Sequence, residues 1–253
     1  MKLFNKKQLV LALLLGFNLP LIHAQFTSRG GLNNPTPGRP PYVDVLLTDL
    51  NNDGFLDIYV TEEVVTIGGT LPQVEVEDDI YINNGNGITN LGAAFTGGTL
   101  RGTGLLFDRV NARDAAAADL DADGNIDIIR VSTGEINILY GSGNGTFTTA
   151  VQMNNPDPNA GFGCTPSYND VEIGDFDNDG RPDFVVAQNS ACGCNMFFRN
   201  LGNRAFQTIC NNGTAQTTRS ISIADFDADG NQDLIIGRIQ TVDVFRGLGN
   251  FGF

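Results

Sequence analysis

Four nine-residue stretches crowd carboxylates: DLNNDGFLD (Asp49 to Asp57), DLDADGNID (Asp119 to Asp127), DFDNDGRPD (Asp175 to Asp183) and DFDADGNQD (Asp225 to Asp233). Like charges packed this closely repel one another, so such a turn gains by folding only with a cation among its oxygens. A donor set made of oxygen alone suits calcium, which takes six to eight such ligands at flexible angles. In each copy the first, third, fifth and ninth places offer side-chain oxygens and the seventh its backbone carbonyl. The expected ligands in the first loop are Asp49, Asn51, Asp53, the Phe55 carbonyl and Asp57. In the second they are Asp119, Asp121, Asp123, the Asn125 carbonyl and Asp127. In the third they are Asp175, Asp177, Asp179, the Arg181 carbonyl and Asp183, and in the fourth Asp225, Asp227, Asp229, the Asn231 carbonyl and Asp233. Asn51 coordinates through an amide, at one unit less charge. Up to four Ca2+ ions are expected.

The elements that must hold these loops are also repeated. The loops start 70, 56 and 50 residues apart, the spacing of a repeat architecture. Before them run alternating patterns (Val43, Val45 and Leu47; Val171 and Ile173; Ile221 and Ile223), although the second copy has only alanines from Ala115 to Ala118. After them come DIYV, DIIR, DFVV and DLII, which read as buried strands. A third strand follows in each copy: DIYI from Asp79, INILY from Ile136, NMFF from Asn195 and VDVF from Val242. Gly85-Asn86, Gly143-Asn144, Gly202-Asn203 and Gly249-Asn250 then mark turns. An aromatic residue stands three places beyond in the last three copies, at Phe147, Phe206 and Phe253, with Thr89 in the first. Four antiparallel strands per unit, repeated, predict an all-β fold of propeller blades. The first copy carries extra residues around Thr61 to Asp78, read as a solvated surface loop. Glu75, Glu77, Asp78 and Asp79 beside it read as solvated charge rather than a glycosidase pair.

Other families share the DxDxDG core, and the flanks separate them. An EF-hand needs a bidentate Glu at its twelfth place and flanking helices. Here the twelfth residues are Val60, Arg130, Val186 and Ile236, and the flanks are strands. Dockerin-like repeats also need a helix, and RTX nonapeptides are absent. From about Tyr42 to Phe253 the chain resembles the FG-GAP/VCBS repeat family, the blade type of integrin α-subunit propellers and of many secreted bacterial proteins. The resemblance implies that each acidic loop joins the first and second strands of a blade and holds Ca2+ on one face of a β-propeller of four repeat units. It also implies a binding role, toward a carbohydrate or protein met on the opposite face.

Residues 1–24 read as an export signal: Lys2, Lys6 and Lys7, then an apolar stretch from Leu9 to Ile22, then a cleavage site before Gln25. Residues 25–41 form a Pro/Gly-rich lead-in, and the units run 42–98, 99–155, 156–214 and 215–253. The signal holds all the lysine and the only histidine, so the mature chain has twelve bases, all arginine, against 29 acids, a formal charge of −17. That balance argues against nucleic acid and anionic membranes as partners, and no later stretch is apolar enough for membrane insertion. Without histidine or lysine there is no Ser-His-Asp machinery and no Schiff-base chemistry. The expectation is a secreted, non-catalytic module; a periplasmic or cell-surface location is the alternative address. The second functional reading is the propeller portion of a larger secreted enzyme, for example a polysaccharide-degrading one, with catalysis carried outside this chain.

Cys164, Cys192, Cys194 and Cys210 all fall in the third unit or its approach. In an exported protein they read as two disulfides. If the loops share one face, alternating strands put all four cysteines at the other. Cys192 and Cys194 are each expected to pair with Cys164 or Cys210, both pairings remaining open, with a four-thiolate zinc site as the competing reading. The last unit stops where its fourth strand is due, which fits either part of a longer propeller or a closed four-bladed ring completed by residues 25–27.

Overall fold

The computed structural model describes residues 42–62, 78–83, 85, 88–93, 112–153, 166–189, 194–211 and 217–253. The export signal, the lead-in, Cys164, Cys192, Glu75, Glu77, Asn86 and the rest of the first unit's insertion lie outside them. So does the unit Met1–Asn33, and every described strand belongs to the unit Asn34–Phe253.

Fifteen strands form four antiparallel sheets among the described residues. The first sheet holds β1 (Tyr42–Thr48), β2 (Asp57–Glu62), β3 (Asp79–Asn83) and β4 (Ile88–Ala93). The second holds β5 (Ala112–Ala118), β6 (Asp127–Ser132), β7 (Ile136–Gly141) and β8 (Phe147–Met153). The third holds β9 (Tyr168–Gly174), β10 (Asp183–Gln188), β11 (Asn195–Gly202) and β12 (Ala205–Asn211). The fourth holds β13 (Ser220–Ala224), β14 (Asp233–Gly237) and β15 (Val242–Phe245). Spatial order follows chain order in every sheet, so each is a meander, the form of a propeller blade. Each acidic loop joins the first strand of its sheet to the second.

The second strands read as unbroken apolar runs because both of their faces are covered. In β10, Phe184 and Val186 pack toward the second sheet, and Val185 and Ala187 toward the fourth. Three apolar clusters thus lie between successive sheets. Leu50, Tyr59 and Ile80 meet Ala115, Ile128 and Leu139; Ile129, Val131 and Ile138 meet Val171, Phe184 and Phe198; Phe176, Val185 and Phe197 meet Ile221, Leu234 and Ile236. The alanine run is a full strand. Its small side chains suit the place where first strands lie close together: Ala115 packs into the cluster on one side and Ala116 into the cluster on the other. Tertiary burial outweighs a weak local preference there. The predicted aromatics also join the core, Phe147 buried and Phe253 ringed by Phe176 and Phe197. The front of the first sheet differs. Val45 is 58 % exposed, although Ala115, Val171 and Ile221 at the same place in the later sheets are buried.

A carboxylate recurs five residues before each of the first three loops, with Ser220 at that place before the fourth, and two of the three join first strands. Asp114 accepts the Val171 N–H at 2.7 Å, and Asp170 accepts the Ile221 N–H at 2.6 Å, each across a sheet boundary. Burial pushes the Asp114 carboxyl up to about 9, helped by a hydrogen bond with Asp170 and by the charges of Asp170 and Asp44. The folded protein therefore holds a proton there that the unfolded chain gives up near pH 4. Stability is fully present below that point and declines as pH rises toward 9. Asp114→Asn keeps the acceptor for Val171 and supplies the donor toward Asp170. It is expected to raise stability at pH 8 by about 1–2 kcal/mol and to flatten the pH dependence, as read by thermal melts from pH 5 to 9.

One expectation is corrected. Asp78 is not solvated charge: it is buried, accepts the Tyr59 hydroxyl at 2.6 Å and pairs with Arg130 Nε at 2.6 Å. Arg130 reaches it from the second sheet, at the place Val186 and Ile236 fill with apolar side chains in the later sheets. Cys194 and Cys210 form a disulfide, Cα atoms 5.7 Å apart, joining the start of β11 to the end of β12. That end of the sheet lies opposite the acidic loop.

Candidate metal centre

All four loops are built alike. The first-place Asp receives two backbone donors, seen in the third loop as Asp179 N–H to Asp175 Oδ1 at 3.0 Å and Gly180 N–H to Asp175 Oδ2 at 2.9 Å. The fifth-place Asp receives the seventh-place N–H, 2.8 to 2.9 Å throughout. Two residues per loop take left-handed backbone. The fourth place does so at φ 60, 62, 59 and 61°, and the glycine at the sixth at 83 to 90°. Asn52 and Asn178 suit the former; Ala122 and Ala228 are strained there by roughly 1–2 kcal/mol.

The ninth aspartate has a role beyond that of a ligand. Asp183 Oδ2 accepts the Phe176 N–H at 3.0 Å and Oδ1 the Asn200 N–H at 2.7 Å, tying the loop to the third strand. Asp57, Asp127 and Asp233 repeat both bonds, and all four are buried. Burial pushes Asp127 and Asp183 up to about 6 even though both N–H donors pull the other way. In the second and fourth sheets a glycine supplies the third-strand amide, because a Cβ on Gly141 would stand 2.1 Å from the Ile126 carbonyl oxygen.

Each of the first three loops is also stitched to the following sheet. The second-place carbonyls of Leu50, Leu120 and Phe176 accept from Gly145 N–H, Asn200 Nδ2 and Phe251 N–H. Asn52 Nδ2 donates to Asn125 Oδ1 at 2.9 Å, and Asn178 Nδ2 to Asn231 Oδ1 at 3.0 Å, binding the fourth place of one loop to the seventh of the next.

Three loops bring carboxylate oxygens within 4.8 Å of one another: Asp119, Asp121 and Asp127; Asp175, Asp177 and Asp183; Asp225, Asp227 and Asp229. The converging sets are narrower than the sequence assigns. Asp123, Asp179 and Asp233 stand outside them, as do Asp49, Asp53 and Asp57. Oxygen donors alone and a surplus of negative charge fit a hard divalent cation. Asp177 adds a specific sign: its Oδ2 is buried without an aligned hydrogen bond, countered by Arg199 at 2.6 Å.

The FG-GAP-like repeat family matches residues 119–186 and again residues 175–236, each match spanning two acidic loops and the strands between them. The chain carries FG-GAP-like repeats. Among solved structures the chain is similar to BBS1N, solved in complex with ARL6DN, at 13% identity and a TM-score of 0.51, covering 83% of this chain and 56% of that one. It is also similar to an Agrocybe aegerita lectin specific for non-reducing terminal N-acetylglucosamine, at 19% identity and a TM-score of 0.47, covering 81% and 49%. The V. cholerae biofilm matrix protein Bap1 matches at 19% identity and a TM-score of 0.40, covering 83% and 38%. The chain thus spans about half the length of the first two structures. At such identities the likeness is one of fold. No curated protein matches the chain.

Sequence reasoning missed three sets of residues: the first-strand aspartates, the asparagine bridges and the arginines over the loops. Asp44, Asp114 and Asp170 were open to discovery, since each precedes its loop by five residues.

Proposed function

We propose that this protein is a secreted, calcium-stabilised β-propeller module that binds an extracellular carbohydrate or protein without catalysis. The observation that carries the reading is the repetition of one oxygen-only loop geometry at the same end of every sheet. Asp119, Asp121 and Asp127 in the second loop, Asp175, Asp177 and Asp183 in the third, and Asp225, Asp227 and Asp229 in the fourth would hold the ions. The remaining loop carboxylates and the seventh-place carbonyls complete each shell. The ion would supply charge neutralisation and rigidity to a scaffold, not a reactive centre. At the loop end, many polar side chains of the described residues serve the scaffold itself, as loop staples, strand links and ion pairs within or between sheets. A ligand surface is accordingly expected at the end away from the loops, where the Cys194–Cys210 disulfide braces the third sheet.

The test is a screen of the calcium-loaded mature protein on glycan and extracellular-matrix protein arrays, repeated after chelation. Saturable, calcium-dependent binding to one ligand class is the expected result. Silence on both arrays at micromolar protein overturns the reading.

A further inference from the structure

The acidic loops carry their own counter-ions. Wherever the third place is an aspartate, a guanidinium stands on it: Arg204 Nε lies 2.6 Å from Asp121 Oδ2, Arg199 Nη2 2.6 Å from Asp177 Oδ2, and Arg246 Nε 2.7 Å from Asp227 Oδ2. The arginines reach these sites by two routes. Arg199 and Arg246 leave the third strand of their own sheet, one residue before the amide that caps the ninth aspartate. The second sheet has Tyr140 at that place, and its ring lies 4.0 Å under Arg204, which comes from the following sheet to meet Asp121. The first loop completes the pattern. Its third place is the neutral Asn51, whose amide donates to Asp53 at 3.0 Å, and Ile82 stands where the arginines do. Charge at the third place and an arginine upon it thus occur together, whichever strand or turn supplies the arginine.

We propose that Arg199, Arg204 and Arg246 are exchangeable counter-ions. Each occupies the third-place carboxylate in the metal-free loop and yields it to a divalent cation, so that the arginine lowers the loop's affinity and keeps the metal-free blade folded. This rests on the reading of the loops as calcium sites. A fixed positive charge beside a divalent ion opposes its binding, and a carboxylate as buried as Asp177 is costly to leave uncompensated. One arginine therefore acts in opposite directions on the two states. Arg246 shows the geometry of competition most openly, bridging Asp227 and Asp229, both at 2.7 Å and both in the converging set.

Arg199→Gln, and Arg246→Gln as a second variant on a well-exposed side chain, are melted in EDTA and in saturating calcium and titrated with calcium by calorimetry. The variants are expected to melt below wild type in EDTA, to lose that deficit in calcium, and to bind the ion at the altered loop about tenfold more tightly. An equal deficit in both buffers with unchanged affinity marks an ordinary ion pair and overturns the proposal. Weaker binding overturns it too, by making the arginine an aid to coordination. If wild type itself neither binds calcium nor melts differently with it, the calcium reading has failed and the exchange falls with it, an outcome the wild-type curves alone identify.

Discussion

Asp183→Ala, measured in EDTA, is expected to destabilise the protein by about 3–5 kcal/mol, lowering its melting temperature by roughly 8–16 °C. The carboxylate is buried, and each of its oxygens satisfies a backbone donor that has no solvent to turn to, the Phe176 N–H on one side and the Asn200 N–H on the other. A buried donor left without an acceptor costs about 1–3 kcal/mol, and two are stranded together. The consequence spreads beyond the loop. The Phe176 carbonyl accepts from Phe251, and the Phe176 ring packs on Phe197, Phe251 and Phe253, so a loop released from its third strand loosens the contact with the last sheet. Asp183→Asn retains one acceptor and should recover part of the loss. Asp179→Ala is the control: it removes a carboxylate at the exposed side of the same loop and, without metal, should cost well under half as much. Similar losses for Asp183→Ala and Asp179→Ala would show that the ninth place is no more than one ligand among several.

The contrast between those two aspartates marks what could be read from the sequence. Spacing placed the loops between first and second strands, and the third strands and the last three Gly-Asn turns fell where the residue pattern put them. Those elements are specified locally, by β-branched runs and turn residues, so one repeat predicts the next. The double role of Asp183 was hidden because its partners are backbone amides, which have no residue-type signature. Arg204 was hidden for another reason. Its partner Asp121 lies 83 residues earlier and belongs to a different sheet, so only the stacking of sheets brings them together. Asp78 was misread because charged residues beside an insertion are usually solvated, whereas Arg130 takes an apolar place in the facing sheet and makes burial of the pair possible. What the sequence withheld is thus either a backbone partner within a repeat, as at Asp183, or a contact between repeats, as at Arg204 and Asp78.

Those contacts between repeats explain why removing calcium should have an effect out of proportion to one loop. At an ion concentration ten times the dissociation constant, each site adds about 1.4 kcal/mol to folding. The three loops with converging carboxylates would contribute roughly 4 kcal/mol together, and a fourth ion at the Asn51 loop would bring the sum to about 5–6, comparable with the whole stability of an ordinary domain. Four Ca2+ would also take the formal charge of the chain from −14 to −6, easing self-repulsion. Chelation is therefore expected to lower the melting temperature by roughly 10–20 °C, read by scanning calorimetry in EDTA against millimolar calcium. The first loop supplies an internal comparison, because Asn51→Asp adds the missing charge without adding an arginine. That variant should bind calcium more tightly than wild type at this loop and should enlarge the difference between the two melts. The links from Leu50 to Gly145 and from Asn52 to Asn125 imply that the gain reaches the second sheet as well as the first. Amide exchange should then slow across β5 to β7 on adding calcium to Asn51→Asp. Protection confined to the first loop would mean that the ions brace single turns and do not lock one blade to the next.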